Sequence, residues 1–156
     1  MLSTGIIDTI GTDYVANQLK LKLDGKDIWS ALAGFPGIGT ALPILLGRGV
    51  NQNRITIEQL VNITSTNAAK IFGMYPNKGI IQEGFDADFV LVDMKMTKKI
   101  HKDMFGAYSD YSVYEGMEIV GWPVMTILRG GIVSENFEVV GEKGTGQFVP
   151  RKHIDL

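Results

Sequence analysis

RITIEQLVNITSTNAAKIFGMYPNKGIIQEGFDADFVLVD, residues 54–93, decides how this chain is read. It predicts two short helices, a Gly/Pro-rich turn and a strand. Thr56-Ile57-Glu58-Gln59 places Thr at an N-cap with Gln three residues on. That is the capping-box spacing, in which each side chain satisfies a backbone N–H the helix leaves orphaned. Ile57, Leu60, Val61 and Ile63 supply one apolar face. Ser65 or Thr66 is expected to cap a second helix over residues 67–72, closed by Gly73 at C′ with Pro76 just beyond. Residues 88–93 are nearly all apolar and predict a strand covered on both faces, with a second strand at residues 98–101. In the intervening turn, Gly79 and Gly84 allow backbone angles closed to other residues. Asp86 and Asp88 there read as acceptors of turn N–H groups, not as metal ligands.

Upstream of this stretch, residues 6–12 are short and β-branched, bounded by Gly5 and Gly11, and predict a buried strand with Asp13 at its C-terminal end. Such a strand at the very start of the chain calls for a preceding segment or a covering partner. Residues 18–27, QLKLKLDGKD, are Lys-rich; the alternation of Leu19, Leu21 and Leu23 suits a strand, a loop or a ragged helix equally. A tight loop follows over residues 34–39. Thr40 is expected to cap a helix through Leu46, with Pro43 near its first turn and Gly47 and Gly49 stopping it. Downstream, the aromatic residues 105–116 predict a long ordered loop. Residues 118–119 and 124–128 predict strands, Arg129-Gly130-Gly131 a hairpin turn, and Ile132-Val133 the return strand. Residues 141–156 read as an extended tail. The fold class is α+β: helical over residues 40–73, β-rich over residues 80–140, dividing at residues 1–78 and 79–156 within one compact unit.

With 156 residues, 45% hydrophobic and 21% charged, the chain is long enough to bury a core and is expected to be soluble. Its net charge of −2 comes from intermixed charges without a basic stripe, which argues against nucleic acid as a partner. No apolar run reaches membrane-spanning length, and the first residues lack the pattern of a signal peptide, so a cytoplasmic protein is expected. The absence of cysteine excludes disulfides, thiolate nucleophiles and cysteine metal sites.

Several motifs, in order, resemble one family. Ile7-Asp8-Thr9-Ile10-Gly11-Thr12-Asp13 resembles a last barrel strand ending in Gly-(Ser/Thr)-Asp-His, and Pro36-Gly37-Ile38 a Pro-Gly-Ile-Glu segment opening the next helix. Ile63-Thr64-Ser65-Thr66-Asn67-Ala68-Ala69-Lys70-Ile71-Phe72-Gly73, Lys78-Gly79-Ile80-Ile81 and Gly84-Phe85-Asp86-Ala87-Asp88 resemble the family's following helix and turns. Asp110-Tyr111-Ser112-Val113-Tyr114-Glu115-Gly116-Met117 and Gly144-Thr145-Gly146-Gln147-Phe148 are similar to the C-terminal region of hydantoinases and dihydropyrimidinases. The chain thus resembles the C-terminal portion of a cyclic amidohydrolase, related also to dihydroorotases and allantoinases.

That resemblance implies the end of a metal-dependent (β/α)₈ barrel followed by the β-rich part of a small β-sandwich lobe. It implies hydrolysis of a cyclic amide C–N bond, with zinc or another divalent metal. Asp13 matches the aspartate that binds metal and takes a proton, and Gly34 a backbone contact to substrate. The family's His-x-His pair, bridging lysine and later histidines have no counterpart here, so no metal is expected to be held by this chain alone. Its expected partner is the missing N-terminal amidohydrolase portion or further copies of itself. Four departures cluster at the site edge. Tyr14 stands for the usual histidine, Val15-Ala16-Asn17 lacks a proline, Ala33 replaces an asparagine before Gly34-Phe35-Pro36, and Gly39 replaces the glutamate. Phe35 is expected to crowd the pocket. The resemblance therefore supports the family, while the isolated chain reads as catalytically incomplete; the alternative is a non-catalytic remnant serving oligomerisation or partner binding. His101 reads as a solvent-facing histidine and His153 as an exposed tail residue; they lack a ligand spacing. Gly144-Thr145-Gly146 lacks the lysine of a phosphate loop. The tyrosines and Trp122 read as core or interface packing.

Overall fold

The computed structural model describes residues 2–151; His153 lies outside them. Helices occupy the first half: α1 (Leu19–Leu23), α2 (Ile38–Ile44), α3 (Ile57–Val61) and α4 (Asn67–Ile71). An antiparallel sheet follows, in the order β1 (Phe89–Lys99), β2 (Glu118–Leu128), β3 (Gly131–Glu135), β4 (Glu138–Val139). Helices followed by an antiparallel meander make the α+β class expected of the sequence.

The capping box forms as its spacing predicts: Thr56 Oγ1 accepts from the Gln59 N–H at 3.2 Å and Gln59 Oε1 from the Thr56 N–H at 2.9 Å. No break then separates α3 from α4. A π-helical turn, Asn62–Thr66, carries the backbone through, so neither Ser65 nor Thr66 is an N-cap. Thr66 Oγ1 instead donates to the Gly79 carbonyl at 2.8 Å, and Gly79, at φ +83, leaves no room for a Cβ, which would stand 2.6 Å from that of Ala69. Gly73, at φ +70, ends the helix as expected.

Helix α2 also departs from the expectation. It starts at Ile38 after Gly37, and Thr40 lies inside its first turn, donating to the Gly37 carbonyl. Gly47 and Gly49 do not stop it; a π-helical continuation, Leu45–Val50, contains both. Packing overrides glycine's poor helix propensity here: Gly47 is buried against β2, where a Cβ would lie 2.6 Å from Ile119 Cγ2.

The two strands predicted on each side of the lobe are one long strand each. β1 runs unbroken through residues 89–99, and β2 through Gly121 and Pro123. Irregular register joins them: Asp93 faces Trp122 but Thr97 faces Val120, so β1 bulges. Asp93 Oδ1 accepts the Lys95 and Met96 N–H groups inside the bulge. Asn51, just past α2, donates its side-chain amide to Met94 O at 3.1 Å and Val120 O at 2.6 Å, carbonyls beside the bulge. Nor is β1 covered on both faces: Val90 and Leu91 are 47% and 44% exposed, and burial alternates along the rest.

Two apolar clusters form the core. Leu46, Ile55, Leu60 and Ile63 join the helices and receive Val92 and Met94 from β1. Ile100, Ile119 and Trp122 form the second, against Ile44, Met104 and Phe105. Trp122 is fully buried, donates Nε1–H to the Ile119 carbonyl at 2.8 Å, and meets Phe137 edge-on. It is a core residue, as the sequence suggested.

The predicted buried strand at residues 6–12 is absent. The segment is extended but belongs to no sheet, and Ile6 is 71% exposed. A strand needs a neighbour to bond its backbone, and none of the described residues runs beside it as a ladder. Its ties are the Ile10 N–H to Ile63 O at 3.1 Å and Asn67 Nδ2 to Asp8 O at 3.0 Å.

Candidate functional site

Asp13 closes the extended segment in a left-handed conformation, φ +45, and is exposed. Tyr14 next to it forms an isolated parallel bridge with Phe35, in which the Val15 N–H donates to the Phe35 carbonyl at 3.3 Å. This bridge brings Asp13 to the same edge as Gly34, so the two residues singled out from the sequence are neighbours in space. Gly34 has φ +77, and a Cβ on it would stand 2.4 Å from Val15 Cγ2. Only glycine suits both demands. The Lys22 ammonium, on α1, donates to the Leu32 and Gly34 carbonyls.

Phe35 and one of the four departures, Gly39, acquire a structural meaning. Phe35 is 39% exposed, with its ring over Gly37 at the same edge. Gly39 faces the Phe105 ring so closely that a Cβ would be 2.5 Å from Cγ. The space beside Gly39 is thus taken by an aromatic side chain from the segment before β2.

The Asp86–Asp88 pair is held by a lysine and by the Arg129 N–H, where the sequence predicts N–H groups of their own turn. The Lys78 ammonium pairs with Asp86 at 2.8 Å and with Asp88, whose other oxygen accepts the Arg129 N–H at 2.8 Å. Partial burial opposes the charge on Asp88, but the Lys78 and Arg129 hydrogen bonds outweigh it and hold the carboxyl below its usual range. Burial likewise opposes the charge on Lys78, and the two carboxylates outweigh it, raising the ammonium. His101 is more than half exposed and caps the short helix Lys102–Phe105, with Asp103 at 3.2 Å from Nδ1 and Glu115 at 3.5 Å from Nε2.

Among the described residues no group of three His, Asp or Glu side chains could hold a metal ion. Asp13 offers one carboxylate, and the described residues do not make a metal centre. Two surface grooves, of about 430 and 310 Å³, lie along the sheet, and neither touches Asp13 or Gly34. Lys22, to which the sequence assigned no role, acts on main-chain carbonyls of the site edge; as one lysine among several it carries no local signal.

An aspartate that closes an extended segment and a glycine loop thus share one edge, beside the helices and ahead of an antiparallel sheet. A model of the amidohydrolase family matches residues 1–133, and the chain belongs to that family. Its relatives are hydantoinase- and dihydropyrimidinase-like. The L-hydantoinase of Paenarthrobacter aurescens is 41% identical over 99% of this chain and 34% of its own length. The dihydroorotase of Methanosphaera stadtmanae is 45% identical over 85% of this chain and 30% of its own. The solved structure of L-hydantoinase (dihydropyrimidinase) from Arthrobacter aurescens superimposes with a TM-score of 0.91 at 42% identity, covering 96% of this chain and 34% of that one. The chain therefore spans about a third of the length of the relatives it matches. Among the described residues, no helix is long and apolar enough to cross a membrane.

Proposed function

We propose that this chain supplies the C-terminal third of a cyclic amidohydrolase, in the cytoplasm, and that it hydrolyses nothing alone. The substrate class is the cyclic ureide or imide named for its relatives: hydantoin, dihydropyrimidine or dihydroorotate. The observation that supports the reading is the Tyr14–Phe35 bridge, which pairs the backbone next to Asp13 with the backbone next to Gly34. In that role Asp13 accepts a proton from the attacking water, and the Gly34 backbone orients the ring. The remaining polar groups come from the missing N-terminal portion. In this reading residues 1–78 close the barrel and residues 79–156 form the lobe.

The test is complementation. The purified chain with zinc is expected to show no turnover of hydantoin or dihydrouracil and no stoichiometric metal. Mixed with the N-terminal two-thirds of the P. aurescens L-hydantoinase, it is expected to restore hydrolysis that Asp13→Asn abolishes. Turnover by the chain alone, or complementation indifferent to Asp13→Asn, overturns the reading.

A second reading, a non-catalytic remnant that pairs with copies of itself, is favoured by Ile6, Ile28, Trp29 and Phe148, which are 71%, 79%, 92% and 90% exposed. A monomer mass in gel filtration counts against it.

A further inference from the structure

Helix α1 is tied down at both ends by contacts distant in sequence. At its start, the Leu19 N–H donates to Asp110 Oδ1 at 2.8 Å, a residue of the loop before β2. Near its end, the half-buried Lys22 turns its ammonium onto the Leu32 and Gly34 carbonyls, each at 2.5 Å. Five residues are too few for a helix to persist on its own contacts, so these ties fix where α1 lies. The loop they hold carries no regular structure from residue 31 to 37 apart from the bridge at Phe35. Gly34 is packed on Val15, and Phe35 O accepts the Val15 N–H. Lys22 therefore grips the loop on one side while the bridge grips it on the other. Charge-assisted bonds from one ammonium to two carbonyls are stronger than neutral ones, and one of the two carbonyls is that of Gly34.

We infer that Lys22 is a positioning residue of the ligand loop: its ammonium clamps the Leu32 and Gly34 carbonyls and so holds Gly34 against the Asp13–Val15 segment. The role of Gly34 rests on the function proposed above; the clamp itself does not. Asp110 acts one step further back, by fixing the start of the helix that carries Lys22.

Two measurements separate the clamp from the catalytic reading. The first is amide hydrogen exchange of the chain itself, with Lys22→Met, Lys22→Arg and the exposed Lys26→Met as control. Losing a charged hydrogen-bond donor is expected to speed exchange at the Val15 amide by about tenfold, while β2 amides such as Trp122 keep their protection. Lys22→Arg is expected to recover most of the protection, and Lys26→Met to change nothing. Unchanged Val15 exchange in Lys22→Met overturns the clamp, and so does an equal loss of protection in β2, which would make Lys22 a general stability residue. The second is the complemented assembly, where Lys22→Met is expected to raise KM several-fold with kcat nearly unchanged. An unaltered KM overturns the positioning role. Absence of any hydrolysis with the native chain sinks the catalytic reading, while the exchange result still decides the clamp.

Discussion

Lys78 and Asp88 form a linchpin between the helical half and the sheet: the ammonium pairs with one carboxylate oxygen, and the other takes the Arg129 N–H of the β2–β3 turn. Both side chains are largely withdrawn from solvent, at 17% and 29% exposure. Asp88→Asn keeps an acceptor for Arg129 and leaves Lys78 its Asp86 partner, so a loss of about 1 kcal/mol is expected. Asp88→Ala removes both bonds and is expected to cost about 2–3 kcal/mol. Urea unfolding of the two variants checks the ranking.

The same pair gives stability a pH dependence with a definite sign. The folded carboxyl of Asp88 lies below its unfolded value of about 3.9, so its contribution is complete above that pH and is lost as pH falls through the folded value. Lys78 is raised, so its contribution is complete below about 10.4 and is lost as pH rises through the folded value. A plateau between these limits is expected, with unfolding midpoints falling on the acid side. Asp88→Asn is expected to flatten the acid limb, and a series of urea melts from neutral to acid pH reads this directly.

Features set by local backbone chemistry were legible in the sequence. The Thr56–Gln59 box, the Gly73 helix end and the turn at Arg129-Gly130, both in left-handed conformations, follow from orphan N–H groups and positive φ. Boundaries decided by tertiary contact were not. Gly47 reads as a stop, but its missing side chain is what lets the helix lie on Ile119, so the helix runs on. Residues 6–12 have strand composition, but a strand is a relation between two segments, and a single segment cannot supply it. At the candidate site, Asp13 and Gly34 are proposed from motif order. Lys22 was not, because its action on two carbonyls depends on how α1 is placed.

Restoring the family's glutamate at Gly39 is expected to harm the fold. Its Cβ would stand 2.5 Å from Phe105 Cγ and 2.7 Å from Cβ, and a ring joined to the second core cluster cannot swing aside freely. Overpacking of this kind costs about 1–3 kcal/mol, more than the roughly 1 kcal/mol that leaving glycine gains in a helix. Gly39→Glu combined with Phe105→Ala removes the ring contact but leaves the residue-105 Cβ at 2.7 Å and takes the ring away from the second core cluster. Both variants should therefore unfold at lower urea than the native chain, with the double variant's loss smaller than the sum of its single changes.

Tyr111 offers a prediction of opposite sign. Among the described residues its hydroxyl oxygen is buried without a hydrogen-bond partner, and so is that of Ser109 two residues earlier, on the loop whose Asp110 holds the start of α1. Burial, with the Asp110 charge adding to it, pushes the Tyr111 phenol above its ordinary range, so the neutral hydroxyl is what the fold encloses. An enclosed hydroxyl without a partner has given up its bonds to water for nothing, a penalty of about 1–3 kcal/mol. Tyr111→Phe keeps the ring and removes the penalty, so it is expected to stabilise the chain by about 1 kcal/mol in urea unfolding. A loss of similar size would show instead that another group satisfies this hydroxyl. In the complemented assembly the same substitution then distinguishes the source: if the partner portion supplies the acceptor, Tyr111→Phe weakens assembly while leaving the isolated chain stabilised.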